Sequence, residues 1–384
     1  MPGGYDSAIR LGKRHKSGFS RVLPERYLAR DPAAMMKTMS RMLEEIRQQP
    51  QALARTLSSE LRRVERLRRL FEKRRPRLVV LVARGTSDNA ALFGRYLLEI
   101  TTGIPVSLAA PSITTLYRTR MDYRDALVVA LSQSGESTDT NLVLERARQQ
   151  GALTLAITNE SKSTLVGIAE HVLLVHARRE KSVAATKTYT GQMLTMYLLA
   201  YALGGRVRIA DLERVPGAVE GALALEEEID ALSSRYRYMR HAVVVGRGLN
   251  YSNAFEFALK LMETSYVVAE RFSSADFLHG PIALVEPSFP VFAFAPPDRT
   301  WPSLGETITK LKNLRAEIIA ITDPGNREVA GCATKIIRLP KRVPELLTPI
   351  PYAVPAQIFA ACLAAQKGLD ADHPRTLSKV TLTL

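Results

Sequence analysis

The sequence predicts an α/β protein made of two consecutive parallel sheets, each flanked by helices, with a helical segment in front of them. Three observations carry this reading. From Leu78 onward, short β-branched runs alternate with helical stretches, the texture of βα units. The chain then repeats its own motifs at an almost constant offset. Ahead of both copies, apolar residues recur at helical spacing.

Residues 1–30 contain Gly3, Gly4 and scattered Lys and Arg with no sustained period, so a basic, disordered arm is expected there. Asp31 followed by Pro32 is a helix start, and Met35, Met39, Met42 and Ile46 then fall on one helical face. A second helix is expected from about Gln51 to Lys73. Its core side carries Leu53, Leu57, Leu61, Val64, Leu67 and Phe71, and Arg62, Arg63, Arg66, Arg68 and Arg69 lie mostly opposite. Together these make an N-terminal helical segment, 31–75, that packs on the body.

The first sheet unit is placed at 76–210. Its strands are expected at Leu78–Ala83, Ala126–Leu131, Leu153–Ile157 and Val172–Val175. Helices follow Ser87 and Thr138, and a long one runs from about Ala184 to Leu203. Val82-Ala83-Arg84-Gly85 then recurs as Val245-Gly246-Arg247-Gly248, and Ala156-Ile157-Thr158 as Ala320-Ile321-Thr322. The run before Ser132 has its counterpart at Pro290–Ala295, and His171–Val175 has Lys335–Leu339. A linker at 211–237, helical in part, therefore joins the first unit to a second at 238–370, with a tail at 371–384.

A chain of 384 residues, 46% hydrophobic and 24% charged, is globular in composition, and no apolar run approaches the roughly 20 residues of a membrane span. With no apolar leader and only Cys332 and Cys362, a soluble protein of the reducing cytoplasm is expected. The net charge of +15 would suit a nucleic-acid partner if it covered the surface. It is concentrated instead: residues 1–76 hold 19 Lys or Arg against 8 Asp or Glu, which leaves the main body close to balanced. A solvated basic face explains this, and neither nucleic acid nor membrane is expected as a partner.

The chemistry concentrates in a few motifs. The strand Ala126–Leu131 runs into Ser132-Gln133-Ser134-Gly135-Glu136-Ser137 just before a helix start. Backbone N–H groups and hydroxyls there form a cradle for a phosphate dianion. Arg84-Gly85-Thr86-Ser87 ends the neighbouring strand, and ligands in open α/β sheets sit at such carboxyl ends. Neither glycine turn reads G-x-G-x-x-G, which disfavours a dinucleotide. The second copy reads Ala293 to Thr300, AFAPPDRT, at the equivalent place, without the hydroxyl cluster. It carries instead Glu256, Lys260 and Glu263, then Phe277-Leu278-His279-Gly280-Pro281. One copy binds phosphate and the other supplies chemistry.

RGTSDNAA at Arg84, SQSGES at Ser132, EKSVAATK at Glu180, GRGxxY at Gly246, ALKLMETSY at Ala258, FLHGP at Phe277 and DHPRTLSK at Asp372 occur in one fixed order. Over about residues 32–384 the chain thereby resembles the tandem sugar-isomerase (SIS) domain family. That family includes the isomerase half of glucosamine-fructose-6-phosphate aminotransferase and its glutaminase-free relatives, among them the type II glucosamine-6-phosphate deaminases. The resemblance implies a doubly wound, flavodoxin-like sheet in each copy.

It also implies roles. Thr86, Ser87, Ser132, Gln133, Ser134 and Ser137 hold the sugar phosphate, and Val183 lines the sugar. Glu263 moves the proton between C1 and C2. His279 opens the sugar ring, reaching into the neighbouring subunit's site of a homodimer. Lys379 of the tail meets the open carbonyl. Glu256 and Lys260, one helical turn apart, orient the site. His171 and His176 read as structural, and neither a metal nor a cofactor is expected.

Departures from the family narrow the reaction. The first Cys is Cys332, whereas the glutamine-using members of the family rely on an N-terminal Cys, so glutamine is not expected as the ammonia source through this chain alone; Ala185 replaces a small hydroxyl residue and His373 an amide of the synthase pattern. The expected reaction is conversion of glucosamine 6-phosphate and water to fructose 6-phosphate and ammonia. Ammonia-dependent synthesis, action on another amino-sugar phosphate, and a non-catalytic sugar-phosphate sensor are the alternatives.

Overall fold

The computed structural model describes residues 40–379. The basic arm and the helix start at Asp31 with Met35 and Met39 fall outside the described residues. The first described helix, α1 (Arg41–Arg47), opens on Ser40, whose hydroxyl accepts the Leu43 N–H as an N-cap. It is followed at once by α2 (Gln49–Lys73), with Leu53, Leu57, Val64, Leu67 and Phe71 of the predicted stripe buried and Leu61 only partly so.

Two five-stranded, wholly parallel sheets follow. The first comprises β1 (Leu78–Val82), β2 (Val106–Leu108), β3 (Ala126–Ser132), β4 (Leu153–Thr158) and β5 (His171–Leu174) in the order β2-β1-β3-β4-β5. Its longer helices are α3 (Thr86–Thr102), α4 (Thr138–Gln149) and α5 (Lys187–Ala202). Helices α6 (Val215–Leu223) and α7 (Glu226–Ser233) carry the chain to the second sheet. There β6 (His241–Gly246), β7 (Val268–Ser273), β8 (Pro290–Phe294), β9 (Glu317–Thr322) and β10 (Lys335–Arg338) repeat the same order, β7-β6-β8-β9-β10. Its longer helices are α8 (Tyr251–Ser265), α9 (Trp301–Asn313) and α10 (Pro349–Gln366). The topology reproduces the duplication read from the motifs.

The central strands are continuous apolar runs because helices cover both faces of a parallel sheet; all seven residues of β3 are buried. Strands β2 and β7 were not foreseen. β2 has three residues, and β7 carries Glu270 and Arg271 in a half-exposed edge position. Helices α5 and α10 are buried almost all round, which is why neither has a polar face. A polar chain locks them to α2: Gln49 Nε2 donates to Gln357 Oε1 (2.8 Å), the Thr190 hydroxyl donates to Gln49 Oε1 (2.7 Å), and Gln357 Nε2 donates to the Thr186 carbonyl (3.3 Å). No helix among the described residues is long and apolar enough to cross a membrane.

Candidate active site

In the order β2-β1-β3-β4-β5, successive strands move in opposite directions from the boundary of β1 and β3, which opens a crevice at their carboxyl ends. A cavity of 490 Å³ occupies that crevice, lined by Arg84 to Ser87 after β1 and by Leu131 to Ser134 and Ser137 after β3. Val183, Ala185, Thr188, Gln192, Glu263 and the tail residues Leu377, Ser378 and Lys379 complete its wall. Every residue expected to touch phosphate, together with Val183, Glu263 and Lys379, therefore lines one cavity. Glu256 and Lys260 lie behind the wall, and His279 does not line it.

The loop after β3 is tied into shape from below. Gly135 has φ +69°, and a Cβ there would lie 2.1 Å from the Ser163 hydroxyl. The glycine is thus required by backbone conformation and by packing beneath the loop. Ser132 Oγ accepts the Gly135 N–H (3.0 Å) and Ser134 Oγ accepts the Glu136 N–H (3.3 Å). Both serines use a lone pair to hold the loop and keep the hydroxyl proton for a ligand. Ser87 does the same, its oxygen accepting from Gln192 Nε2 at 2.9 Å. Ser137 is different: its hydroxyl donates within 2.9 Å of Asp139 Oδ1 and 3.0 Å of Thr140 Oγ1. It must turn before it can donate to a ligand.

Behind the cavity, α8 presents Glu256, Lys260 and Glu263 on one face through their helical spacing. Lys260 Nζ lies 2.5 Å from Glu263 Oε2, 3.4 Å from Glu256 Oε1 and 3.1 Å from Thr86 Oγ1. The Thr86 hydroxyl in turn donates to Glu256 Oε1 (3.3 Å), and Asn89 Nδ2 donates to Glu256 Oε2 (2.8 Å). Burial pushes the Glu256 carboxyl up to about 7, against the pull of Lys260 and Asn89. Burial alone would lower Lys260, but Glu256 and Glu263 hold it above the ordinary lysine value. Glu263 is the member of this triad that also faces the cavity.

The tail brings Lys379 to the cavity wall, where its Nζ donates to Glu180 Oε2 at 2.9 Å. Burial would raise the Glu180 carboxyl, but Lys379 and hydrogen bonds from Thr188 and Thr186 keep it below the usual carboxylate range. The loop before α5 that carries Glu180 and Val183 is itself fastened by Glu45 of α1. The Glu45 carboxylate accepts the Lys181 and Ser182 N–H groups (2.6 and 3.1 Å) and meets Lys187 Nζ at 3.3 Å. Glu180, Asp139 and Gln192 were not foreseen as site residues. Glu180 stands in the quoted EKSVAATK motif, but its partner Lys379 is 199 positions away.

His279 is exposed at the end of the short helix Ser274–Leu278, its N–H donating to the Asp276 carbonyl at 3.1 Å. His171 is partly buried, which lowers its pKa, and no cluster of three or more His, Cys, Asp or Glu able to hold a metal occurs among the described residues.

The model of the SIS domain matches the chain twice, over residues 72–202 and 236–367. Glutamine–fructose-6-phosphate aminotransferase (isomerizing) of Aquifex aeolicus is 33% identical over 346 residues, which are 88% of this chain and 57% of that protein. The chain thus spans little more than half the length of that relative. The C-terminal domain of glucosamine-fructose-6-phosphate aminotransferase from Francisella tularensis superposes with a TM-score of 0.81 at 28% identity, covering 88% of this chain and 99% of that one. Glucosamine-6-phosphate deaminase of Thermotoga maritima superposes with a TM-score of 0.69 at 22% identity over 90% and 100% of the two chains, which speaks for the fold alone. Two matches to one family and two sheets of one topology lead to one conclusion: this chain belongs to the SIS domain family.

Proposed function

We propose that this protein isomerises and deaminates an amino-sugar phosphate, converting glucosamine 6-phosphate and water to fructose 6-phosphate and ammonia. The observation that carries the reading is the meeting, in one cavity, of a hydroxyl-rich loop, a carboxylate and an amine. The phosphate sits on Thr86, Ser87, Ser132, Gln133, Ser134 and Ser137, with Val183 against the sugar. Glu263 carries a proton between C2 and C1 of the open chain. Lys379 faces the carbonyl, while Glu256 and Lys260 hold Thr86 and Glu263 in place. The reverse direction, ammonia-dependent synthesis, uses the same groups and is favoured by the relatives that bear an aminotransferase name.

A panel of amino-sugar phosphates offered to the purified chain, with ammonia and ketose phosphate measured in both directions, tests this reading. Release of ammonia from glucosamine 6-phosphate is the expected result. Sugar-phosphate binding with no turnover of any member in either direction would leave a sensor instead.

Ser134→Ala combined with Ser137→Ala is expected to weaken sugar-phosphate binding by calorimetry without unfolding the protein. A charge-assisted hydrogen bond is worth about 1.5–3 kcal/mol, and Ser134, whose proton is uncommitted, should account for more of the loss than Ser137. Unchanged affinity would remove the phosphate from this loop.

His279 acts in the partner's cavity of a homodimer, a reading supported by its exposure and by its not lining its own cavity. Two-fold symmetry makes the exchange reciprocal. Mixing inactive Glu263→Gln with inactive His279→Ala should then restore activity, to a ceiling of about a quarter of the wild-type value, since half of the dimers are mixed and each has one intact site. Verified subunit exchange with no return of activity would place His279 elsewhere.

A further inference from the structure

We infer that Arg84 is a phosphate-binding residue of this cavity, oriented by the buried carboxylate of Asp139. The inference rests on the phosphosugar reading above and adds the cation that the hydroxyl loop lacks. Ser87, Ser132, Ser134 and Ser137 offer a dianion only neutral donors. The two lysines nearby are already matched, Lys260 by Glu256 and Glu263 and Lys379 by Glu180.

Arg84 stands at the carboxyl end of β1 and lines the cavity. Its Nε donates to Asp139 Oδ2 at 2.6 Å, and the two members of the pair differ in exposure: the arginine side chain is 52% exposed and the aspartate 0%. The pair is neutral in sum, yet it turns its positive end to the cavity and hides its negative end in the protein. The other oxygen of Asp139 takes the Ser137 hydroxyl at 2.9 Å and the Thr140 N–H at 2.8 Å. One carboxylate therefore aligns the guanidinium and a phosphate-loop serine together. Only Nε is bonded to an acceptor among the described residues, so the terminal N–H groups remain for the planar, two-pronged contact that arginine makes with phosphate. When an anion arrives, Ser137 can turn its proton from Asp139 to the ligand, and Arg84 still balances the aspartate.

The test uses the full chain and inorganic phosphate as the probe, with the dissociation constant followed by calorimetry as salt is raised. Arg84→Ala is expected to weaken phosphate binding at least tenfold and to flatten its salt dependence. Arg84→Lys, which keeps the charge and loses the fork, should fall between the two. With the sugar phosphate, the loss should appear mainly in KM. A folded Arg84→Ala protein that binds phosphate within twofold of wild type overturns the inference and leaves the Arg84–Asp139 pair a staple between β1 and α4. Should the alanine variant fail to fold, wild-type affinity and salt slope in Arg84→Lys would overturn the two-pronged contact equally. Phosphate binding that depends on Arg84 in a wild-type protein unable to turn over any amino-sugar phosphate would instead sink the proposed reaction and leave this site standing.

Discussion

Glu263→Gln is expected to lower turnover by about 10²–10⁴-fold, the range for removal of a general base, while sugar-phosphate binding persists. The amide fills the volume of the carboxylate and can still accept from Lys260, which lies 2.5 Å from Glu263 Oε2. It cannot accept a proton from carbon and return it to the neighbouring carbon. The cleanest readout is exchange of the substrate's C2 or C1 hydrogen with deuterated solvent, which reports the proton step before any ammonia is released. Exchange at the wild-type rate in the variant would transfer the base to another group. Loss of binding in parallel would show that the amide had disturbed Lys260 and Thr86 rather than the chemistry alone.

That Glu263 could be singled out from sequence depended on ordered motifs, since a Glu on an amphipathic helix is ordinarily a surface residue. The apolar texture was enough for the central strands, because burial on both faces imposes unbroken apolar runs such as Ala126 to Leu131. It failed for β2 and β7, where three residues, or an edge position with Glu270 and Arg271, leave no such signature. In the same way, residues that touch a ligand cavity belong to recognisable loops, whereas those that aim them do not. Asp139 acts on Arg84, 55 positions away, and Gln192 on Ser87, 105 positions away, through side chains whose partners only the folded topology supplies. The two sheets share one strand order, so the proposed division of labour between the copies rests on their loops. The second copy keeps the strand order, but its counterpart of the phosphate loop runs through Pro296, Pro297 and Asp298, with the Asp298 carboxylate turned back on Thr300.

Lys260→Met is expected to destabilise the protein by about 3–5 kcal/mol at neutral to alkaline pH, the usual result of removing one partner from a buried charge cluster. The methionine fills much of the same space, so the loss is electrostatic rather than a cavity. Glu256, 2% exposed, would keep only Asn89 and Thr86, and Glu263 would face it without the ammonium between them. Burial already holds the Glu256 carboxyl at about 7 against an unfolded value near 4.5, and loss of Lys260 pushes it higher. A carboxyl whose folded pKa is raised binds more protons in the native state. Its stabilising contribution is therefore complete below the unfolded pKa and disappears as pH rises through the folded one. The gap between wild type and Lys260→Met should accordingly be small near pH 5 and widen toward pH 8, as read by denaturant unfolding. Adding Glu256→Gln to Lys260→Met should recover most of the loss at pH 8, because the buried anion is gone while the Asn89 contact has an acceptor. An equal loss at both pH values, or no rescue by the second substitution, would mean that α8 depends on the lysine's packing and not on its charge.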